Sequence, residues 1–575
     1  MSTPPPDAPS TRWPLAWAVL LTLCVVMQGW IFASDIPFGQ PPDEIAHASY
    51  VRDATAGPKF MPDYASGTIG RSGRGNYLGH PPLYYSILAA YGKLSGADPV
   101  RDFLGFRRIS LLFVGLGFFF SLASARRLGV GLVPCVVATA AVCATPLFAY
   151  VAGSINNDTL AYLGVSLFLY GAARSRLESA RLDLPGVASL TLGLVVAALT
   201  KATAATFLVF LVATFSLLRW RTLPALARDR RLQAGVAISL VIVGGYYAWA
   251  LTTFGTPLPK PAALYDVSPP ADPIGVAAYI AKYAGSMWER LPVVLSHASI
   301  SPYNALTRVF FYAMFVAPVA GWLLMRPGAS SRGVERSVLA LTDAFLVALI
   351  ATVIVHIVYV RGSYLTTGLF AGWQPRYFLF ALPFVWFPFF ALRPGLSARY
   401  LVSAAFALST CLAFWTSVPR TLSEHAKGES TRREAAASQR AGASITLPAR
   451  PQPEMAVVLT VGGKARGHVD DFSMERGSLR VRGWAFDTRA NRRVRRIVVI
   501  AQGRYLGSVD ADLPRPDVAN ALQNPKAART GFELVIHGVP QPLDPCSILV
   551  ASELSDGRLA AMRTEACPSP PADRF

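Results

Sequence analysis

The chain has 575 residues, 53% of them hydrophobic and only 15% charged, with a mean hydropathy of +0.38. That is more apolar surface than one soluble core can hide, so an ordinary soluble domain is excluded and a polytopic helical membrane protein follows. The net charge of +20 does not point to nucleic acid, because the excess is Arg spread over short loops and the tail rather than gathered in one patch.

Residues 1–11 are rich in Pro and Ser, and Arg12 precedes the first apolar run, 13–33. No small-x-small cleavage site followed by a soluble mature domain is visible, so this run reads as a retained anchor. Ten further spans follow at 108–125, 131–150, 159–173, 186–200, 203–218, 234–253, 306–325, 338–359, 377–392 and 400–417. The total of about eleven rests on the length needed to cross a hydrocarbon core. The segment 83–94 is apolar but short and aromatic, and reads as an interfacial helix.

Charge orients this arrangement. With the N-terminus in the cytoplasm, the inside loops hold Arg126 and Arg127, Arg174 and Arg176, Arg219 to Arg231, Arg326 to Arg336, and Arg393 and Arg399. The short outside connections hold little, as the positive-inside rule requires. Counting 83–94 as a crossing would invert every later loop. The outer face then carries the loop 34–107, the turn at Asn156 to Asp158, the loop 254–305 and everything after 418.

The first outer loop concentrates the chemistry. Asp35, Pro41 and Pro42 lead extended chain into Asp43, Glu44 and His47, and the run from Asp43 reads as a helix. Asp43 would sit near its N-terminus, where a negative charge is favoured, and shares a face with His47. The same loop ends in His80-Pro81-Pro82-Leu83-Tyr84-Tyr85. A carboxylate held just outside a bilayer can take a proton from a substrate lying at the membrane surface. A capped surface helix would use the same residues with no chemistry.

Further along, Ser154-Ile-Asn-Asn-Asp158 supplies a second outer carboxylate, and Gln374-Pro-Arg376-Tyr377 opens a late span. Lys201 stands between two spans. Arg376 and Lys201 could simply snorkel at helix ends, or hold an anionic group, Arg376 by two parallel hydrogen bonds and Lys201 as a point charge. His297 and His356 are isolated and read as structural, with His356 inside an apolar span.

The tail divides in two. Residues 418–468 are rich in Ala, Ser, Arg and Glu and read as a partly helical connector. From 469 to 575 short alternating runs, at 478–486, 494–501, 505–509, 531–536 and 548–551, predict an extracytoplasmic β-sandwich. Trp484 sits in one of them and reads as core more readily than as a sugar platform. Cys24, Cys135, Cys143 and Cys411 fall in apolar spans, whereas Cys546 and Cys567 flank the last strands, where an oxidising compartment would let them pair.

The ordered strings Pro-Pro-Asp-Glu-x-x-His, His-Pro-Pro-Leu-Tyr-Tyr, Ser-Ile-Asn-Asn-Asp and Gln-Pro-Arg-Tyr resemble the GT-C superfamily of polytopic membrane glycosyltransferases, over about residues 10–417. The closer resemblance is to a bacterial branch with Pro-Asp-Glu-x-x-His in the first outer loop. The resemblance implies a multi-pass protein of the bacterial cytoplasmic membrane. Its donor would be a polyprenyl-phosphate sugar and its acceptor a glycan or lipid outside the cytoplasm. It implies Asp43 as the base, with Glu44 sharing that role or positioning the acceptor. Around them, His47, His80, Tyr84, Asn157, Lys201, Gln374 and Arg376 would contact substrate. Asp43 and Asp158 could instead share a divalent ion such as Mg or Mn, which some members of the superfamily need and others do not. The sandwich strings Val481-Arg-Gly-Trp-Ala-Phe-Asp487 and Arg515-Pro-Asp-Val518 resemble accessory domains of glycan-processing proteins. A lipid-linked glycan flippase and a non-catalytic glycan-binding scaffold are the competing functions. The acidic residues fall in outer loops and no internal repeat is visible, which favours transfer over transport.

Overall fold

Apart from short gaps and isolated positions, the computed structural model describes residues 13–57, 80–175, 182–258, 269–290, 319–328, 336–391, 444–446, 466–537, 548–553 and 559–562. Within them four helices are long and apolar enough to cross a membrane: Leu15–Ser34, Phe103–Arg127, Arg230–Phe254 and Val338–Thr366. Ala202–Leu218 with Trp220–Ala227 adds a fifth if that pair, bent by 84°, is one span. About eleven spans were expected. Most of 306–325 and all of 400–417 lie outside the described residues. Other expected spans form shorter helices, and the causes are local.

In chain order the helices are α1 (Leu15–Asp35), α2 (Glu44–Ala56), α3 (Leu83–Ser95), α4 (Phe103–Arg127), α5 (Leu132–Cys143), α6 (Pro146–Ala152), α7 (Asp158–Arg174), α8 (Leu184–Ala198) and α9 (Ala202–Leu218). After α10 (Leu223–Ala227) come α11 (Arg230–Ser239) and α12 (Gly245–Phe254), joined by one π turn, then α13 (Val276–Arg290) and α14 (Arg336–Thr367). The expected span 131–150 is divided into α5 and α6 because Pro146 can begin a helix but cannot continue one. The expected span 377–392 begins as a 3-10 helix, Pro375–Val385, with Pro383 inside it. The segment read as interfacial is α3, a single helix too short to cross, closed by Gly96 in the left-handed conformation.

The outer surfaces are those of a body meant for lipid. Leu20, Leu23, Met27 and Ile31 on α1, Leu240 and Val241 in the π turn, and Ile350 and Val358 on α14 are all exposed. In water such surface would be an aggregation liability, whereas hydrocarbon solvates it. The interior is held by close backbone approach. A Cβ on Gly153 would lie 2.7 Å from Ala33 N and 2.8 Å from Gly29 O, so only glycine lets the turn after α6 lie against α1. A Cβ on Gly164 would lie 2.5 Å from Ala197 N, and one on Gly193 would lie 2.4 Å from Phe168 N, which brings α7 and α8 together by the small-residue packing common in membranes. A second cluster, built from Tyr50, Tyr84, Tyr85, Leu88, Phe106 and Ile155, fastens α2 and α3 onto α4 and the start of α7. That cluster is the floor under the segment that carries Asp43 and Glu44.

The C-terminal region is β. One sheet runs β1-β8-β3-β2, with β4 on β3 and β7 on β8, and the other runs β10-β9-β5-β6. The ranges are β1 (Ser444–Thr446), β2 (Arg466–Glu475), β3 (Ser478–Asp487), β4 (Arg492–Arg493), β5 (Arg496–Ala501), β6 (Arg504–Val509), β7 (Leu513–Pro514), β8 (Arg529–His537), β9 (Ile548–Glu553) and β10 (Leu559–Met562). All pairings are antiparallel except β1 on β8. Val481, Leu534, Val499 and Val550 from the two sheets meet in one apolar core, as alternation predicts. Trp484 is buried with Phe486, Val518 and Ala527 under the short helix α15 (Pro516–Leu522). The segment read as a connector contributes β1, and β2 begins slightly before the expected boundary. Cys546 and Cys567 lie outside the described residues.

Candidate active site

Asp43 and Glu44 are adjacent and have different surroundings. Glu44 opens α2 and is wholly buried. Arg107 of α4 donates Nε to Oε1 and Nη2 to Oε2, both at 2.7 Å, and the Ile155 amide donates to Oε1 at 3.1 Å. The Arg107 Nη1 donates to the carbonyls of Ala33 (2.8 Å) and Ile36 (2.6 Å), which end α1. One guanidinium thus ties α1, α2 and α4 together, and the Ile155 amide adds the start of α7. Arg107 was not among the expected site residues. Its signal was a cation beside an apolar span, on the side where the expected orientation and the positive-inside pattern provide no use for one.

Asp43 sits at the N-cap position of α2 with φ 61° and ψ 10°, in the left-handed region that few side chains accept. Its carboxylate is ion-paired with Arg376 at the start of the 3-10 helix. A strained residue held in place by its surroundings is a common feature of functional sites. Asp43 does not cap α2 with its side chain. Its carbonyl instead accepts the His47 amide at 3.0 Å.

A second acid–cation pair joins the first turn of α7 to the residue before α9: Asp158 with Lys201, both buried. Asn156 Oδ1 accepts the Asp158 amide at 3.0 Å, and Asn157 Nδ2 donates to the Thr200 carbonyl at 3.1 Å. Among the described residues, Asp158 Oδ2 and Asn156 Nδ2 are buried without a hydrogen-bond partner. Polar atoms left so are uncommon, and a ligand is one way to satisfy them.

One ring links the two pairs. Lys201 Nζ lies 4.8 Å and Arg376 Cζ 5.3 Å from the centre of the Tyr377 ring. Each cation–π contact is worth about 0.5–2 kcal/mol by general experience. Gln374 precedes this turn in extended conformation, and its carbonyl accepts the Tyr377 amide at 3.2 Å.

The histidines form the adjoining wall. The His47 and His80 rings are 6.2 Å apart and nearly parallel, and His47 Nδ1 lies 2.9 Å from Tyr85 Oη. Tyr85 stacks on Tyr50 at 3.8 Å. Burial pushes the His80 imidazole down to about 3, helped by the cations Lys201 and Arg376 and opposed by Asp43. His47 is pushed well below its ordinary value, first by burial and then by His80. Both rings are therefore neutral at physiological pH, and the cations govern the local field. Tyr84 turns into the packed floor, where its hydroxyl lies 2.8 Å from Ser110 Oγ and burial raises its pKa.

The structure thus gathers Asp43, His47, His80, Asp158, Lys201, Arg376 and the Asn157 turn, and sets Glu44 and Tyr84 into the packing beneath. As metal ligands, Asp43 and Asp158 would each have to release a cation. Among the described residues no group of three or more His, Cys, Asp or Glu side chains could hold an ion. The residues present do not fit a divalent site as they stand.

No family model matches this chain, and no curated protein matches it. Two solved structures are similar, both crystal structures of ArnT from Cupriavidus metallidurans. The apo form is 16% identical with a TM-score of 0.33, covering 69% of this chain and 76% of that one. The form bound to undecaprenyl phosphate is 16% identical with a TM-score of 0.34, covering 75% of this chain and 83% of that one.

Proposed function

We propose that this protein is a membrane glycosyltransferase of the GT-C type, which moves a sugar from a polyprenyl-phosphate donor to a glycan or lipid acceptor at the outer face of the bacterial cytoplasmic membrane. The observation that supports this best is the meeting of two acid–cation pairs, Asp43 with Arg376 and Asp158 with Lys201, around Tyr377. Two buried cations, each ion-paired with a carboxylate, form a receptor for a more highly charged oxyanion.

The donor phosphate draws Arg376 and Lys201 toward itself, since a phosphate accepts the guanidinium fork at two oxygens. Asp43 loses its counter-charge in that exchange and becomes the base. The acceptor hydroxyl gives its proton to Asp43 as its oxygen bonds to the anomeric carbon, and the bond from that carbon to the phosphate oxygen breaks. Polyprenyl phosphate leaves with the electron pair, held by the two cations. One displacement inverts the anomeric centre. The unsatisfied atoms of Asn156 and Asp158 would take sugar hydroxyls. Glu44 holds the loop rather than the proton, because both its oxygens are occupied by Arg107.

The test is Asp43→Asn in vesicles with scrambled lipids, where flipping is not required, supplied with a labelled polyprenyl-phosphate sugar. Transfer should be lost while the amount of folded protein stays the same. Undiminished transfer by this variant overturns the reading and favours a scaffold. Activity lost only in sealed, unscrambled vesicles favours a flippase.

A further inference from the structure

His356 lies inside the apolar span Val338–Thr366 and is buried. A histidine there costs free energy unless its ring nitrogens find partners, and an apolar residue would fill the volume at no such cost. Its Nδ1 lies 3.1 Å from the hydroxyl of Tyr283, which comes from α13 in the long outer loop and is also buried. Beyond Tyr283, α13 is held on α14 by Tyr279, Tyr364, Val360 and Phe370. The imidazole also packs on the ring of Tyr377, 5.4 Å between centres at 53°, and on Phe378, 5.4 Å at 79°.

Tyr377 is the ring that Lys201 and Arg376 both face. The attraction of a cation to a ring depends on the face the ring presents. A hydrogen bond fixes the rotation of the imidazole, and the fixed imidazole limits the tilt of Tyr377.

We infer that Tyr283 and His356 are positioning residues, which set the Tyr377 ring under the two site cations and so couple the outer-loop helix α13 to phosphate binding. This rests on the proposed function. Packing alone would be served by Phe at both positions; the paired hydroxyl and imidazole are accounted for by orientation.

The test uses the full-length protein in lipid nanodiscs, with a long-chain polyprenyl phosphate as the probe. Tyr283→Phe deletes one oxygen and keeps the packing, His356→Phe removes the ring nitrogens, and His356→Gln keeps a hydrogen-bonding group. Tyr283→Phe and His356→Phe should each weaken binding by about three- to tenfold, the size of one neutral hydrogen bond. Together they should cost no more than either alone, because they cut the same bond. His356→Gln should recover part of the loss. In turnover the change should appear in KM for the donor and leave kcat unchanged, which loosened structure alone would not do. Unchanged affinity in Tyr283→Phe, beside a large loss in Arg376→Ala, overturns this inference and leaves the proposed function standing. Unchanged affinity in Arg376→Ala and Lys201→Ala as well overturns both.

Discussion

Two arginine–carboxylate pairs begin at consecutive residues, and their surroundings divide them. Glu44 and Arg107 have fully excluded side chains, and every strong contact is taken up within the fold. Asp43 keeps 13% of its side chain exposed opposite an almost fully buried Arg376, on strained backbone and beside an aromatic ring. A pair whose partners are all internal fastens helices. A pair with one open edge can exchange its partner for a ligand. The difference between fastening and exchange arises from what surrounds each charge, since the residue types are nearly the same.

The sharpest way to break that comparison is Arg107→Ala. It leaves the Glu44 carboxylate buried without its cation, at a cost of about 3–5 kcal/mol. The expected result is a marked fall in the thermal midpoint in detergent and in the yield of folded protein. The double variant Glu44→Leu with Arg107→Met should be less damaging than Arg107→Ala, because it removes both charges and fills the space. A stable Arg107→Ala protein that has lost transfer would assign the two pairs the opposite roles.

Asp43→Asn should do the reverse. Turnover should fall by about 10²–10⁴, the usual contribution of a positioned base, and the thermal midpoint should fall less than in Arg107→Ala, because the Asn amide oxygen can still accept from the buried Arg376. Arg376→Lys keeps the charge but loses the fork. Donor KM should then rise about 10- to 100-fold, in line with hydrogen bonds to a charged group. An equal rise for acceptor KM would mean that Arg376 serves the acceptor instead.

The acidic loop, the Asn156–Asp158 turn and the Gln-Pro-Arg-Tyr string were all legible in the sequence, because each interrupts apolar sequence with residues a membrane tolerates poorly. The strands were legible from alternation, and β3, β5, β6, β8 and β9 formed where expected. The partners of the charges were not legible. Nothing in the order of residues says that Glu44 meets Arg107, 63 positions away, or that Asp43 meets Arg376, 333 positions away. Those pairings depend on how helices cross, and here small residues such as Gly153 and Gly164 set the crossings. His356 read as a lone structural histidine because Tyr283 and Tyr377 approach it from other elements.

The smallest effect concerns pH, and it tests whether the open pair and the histidine wall share one field. In the unfolded chain His80 takes up a proton near pH 6.5, whereas in the fold its pKa is held down to about 3. Between those values the unfolded chain binds more protons, so stability is complete above about pH 6.5 and is lost as pH falls through that window. His47 is shifted in the same direction and adds to the loss. His80→Asn should therefore flatten, without abolishing, the acid arm of a thermal-midpoint profile, by on the order of a few degrees at pH 5. Lys201→Met removes one of the cations that oppose protonation of His80, so the folded pKa should climb and the same arm should become shallower. If Lys201→Met leaves the arm unchanged while His80→Asn flattens it, burial alone holds the histidine neutral. The cations would then act on the ligand side of the site and not on its wall.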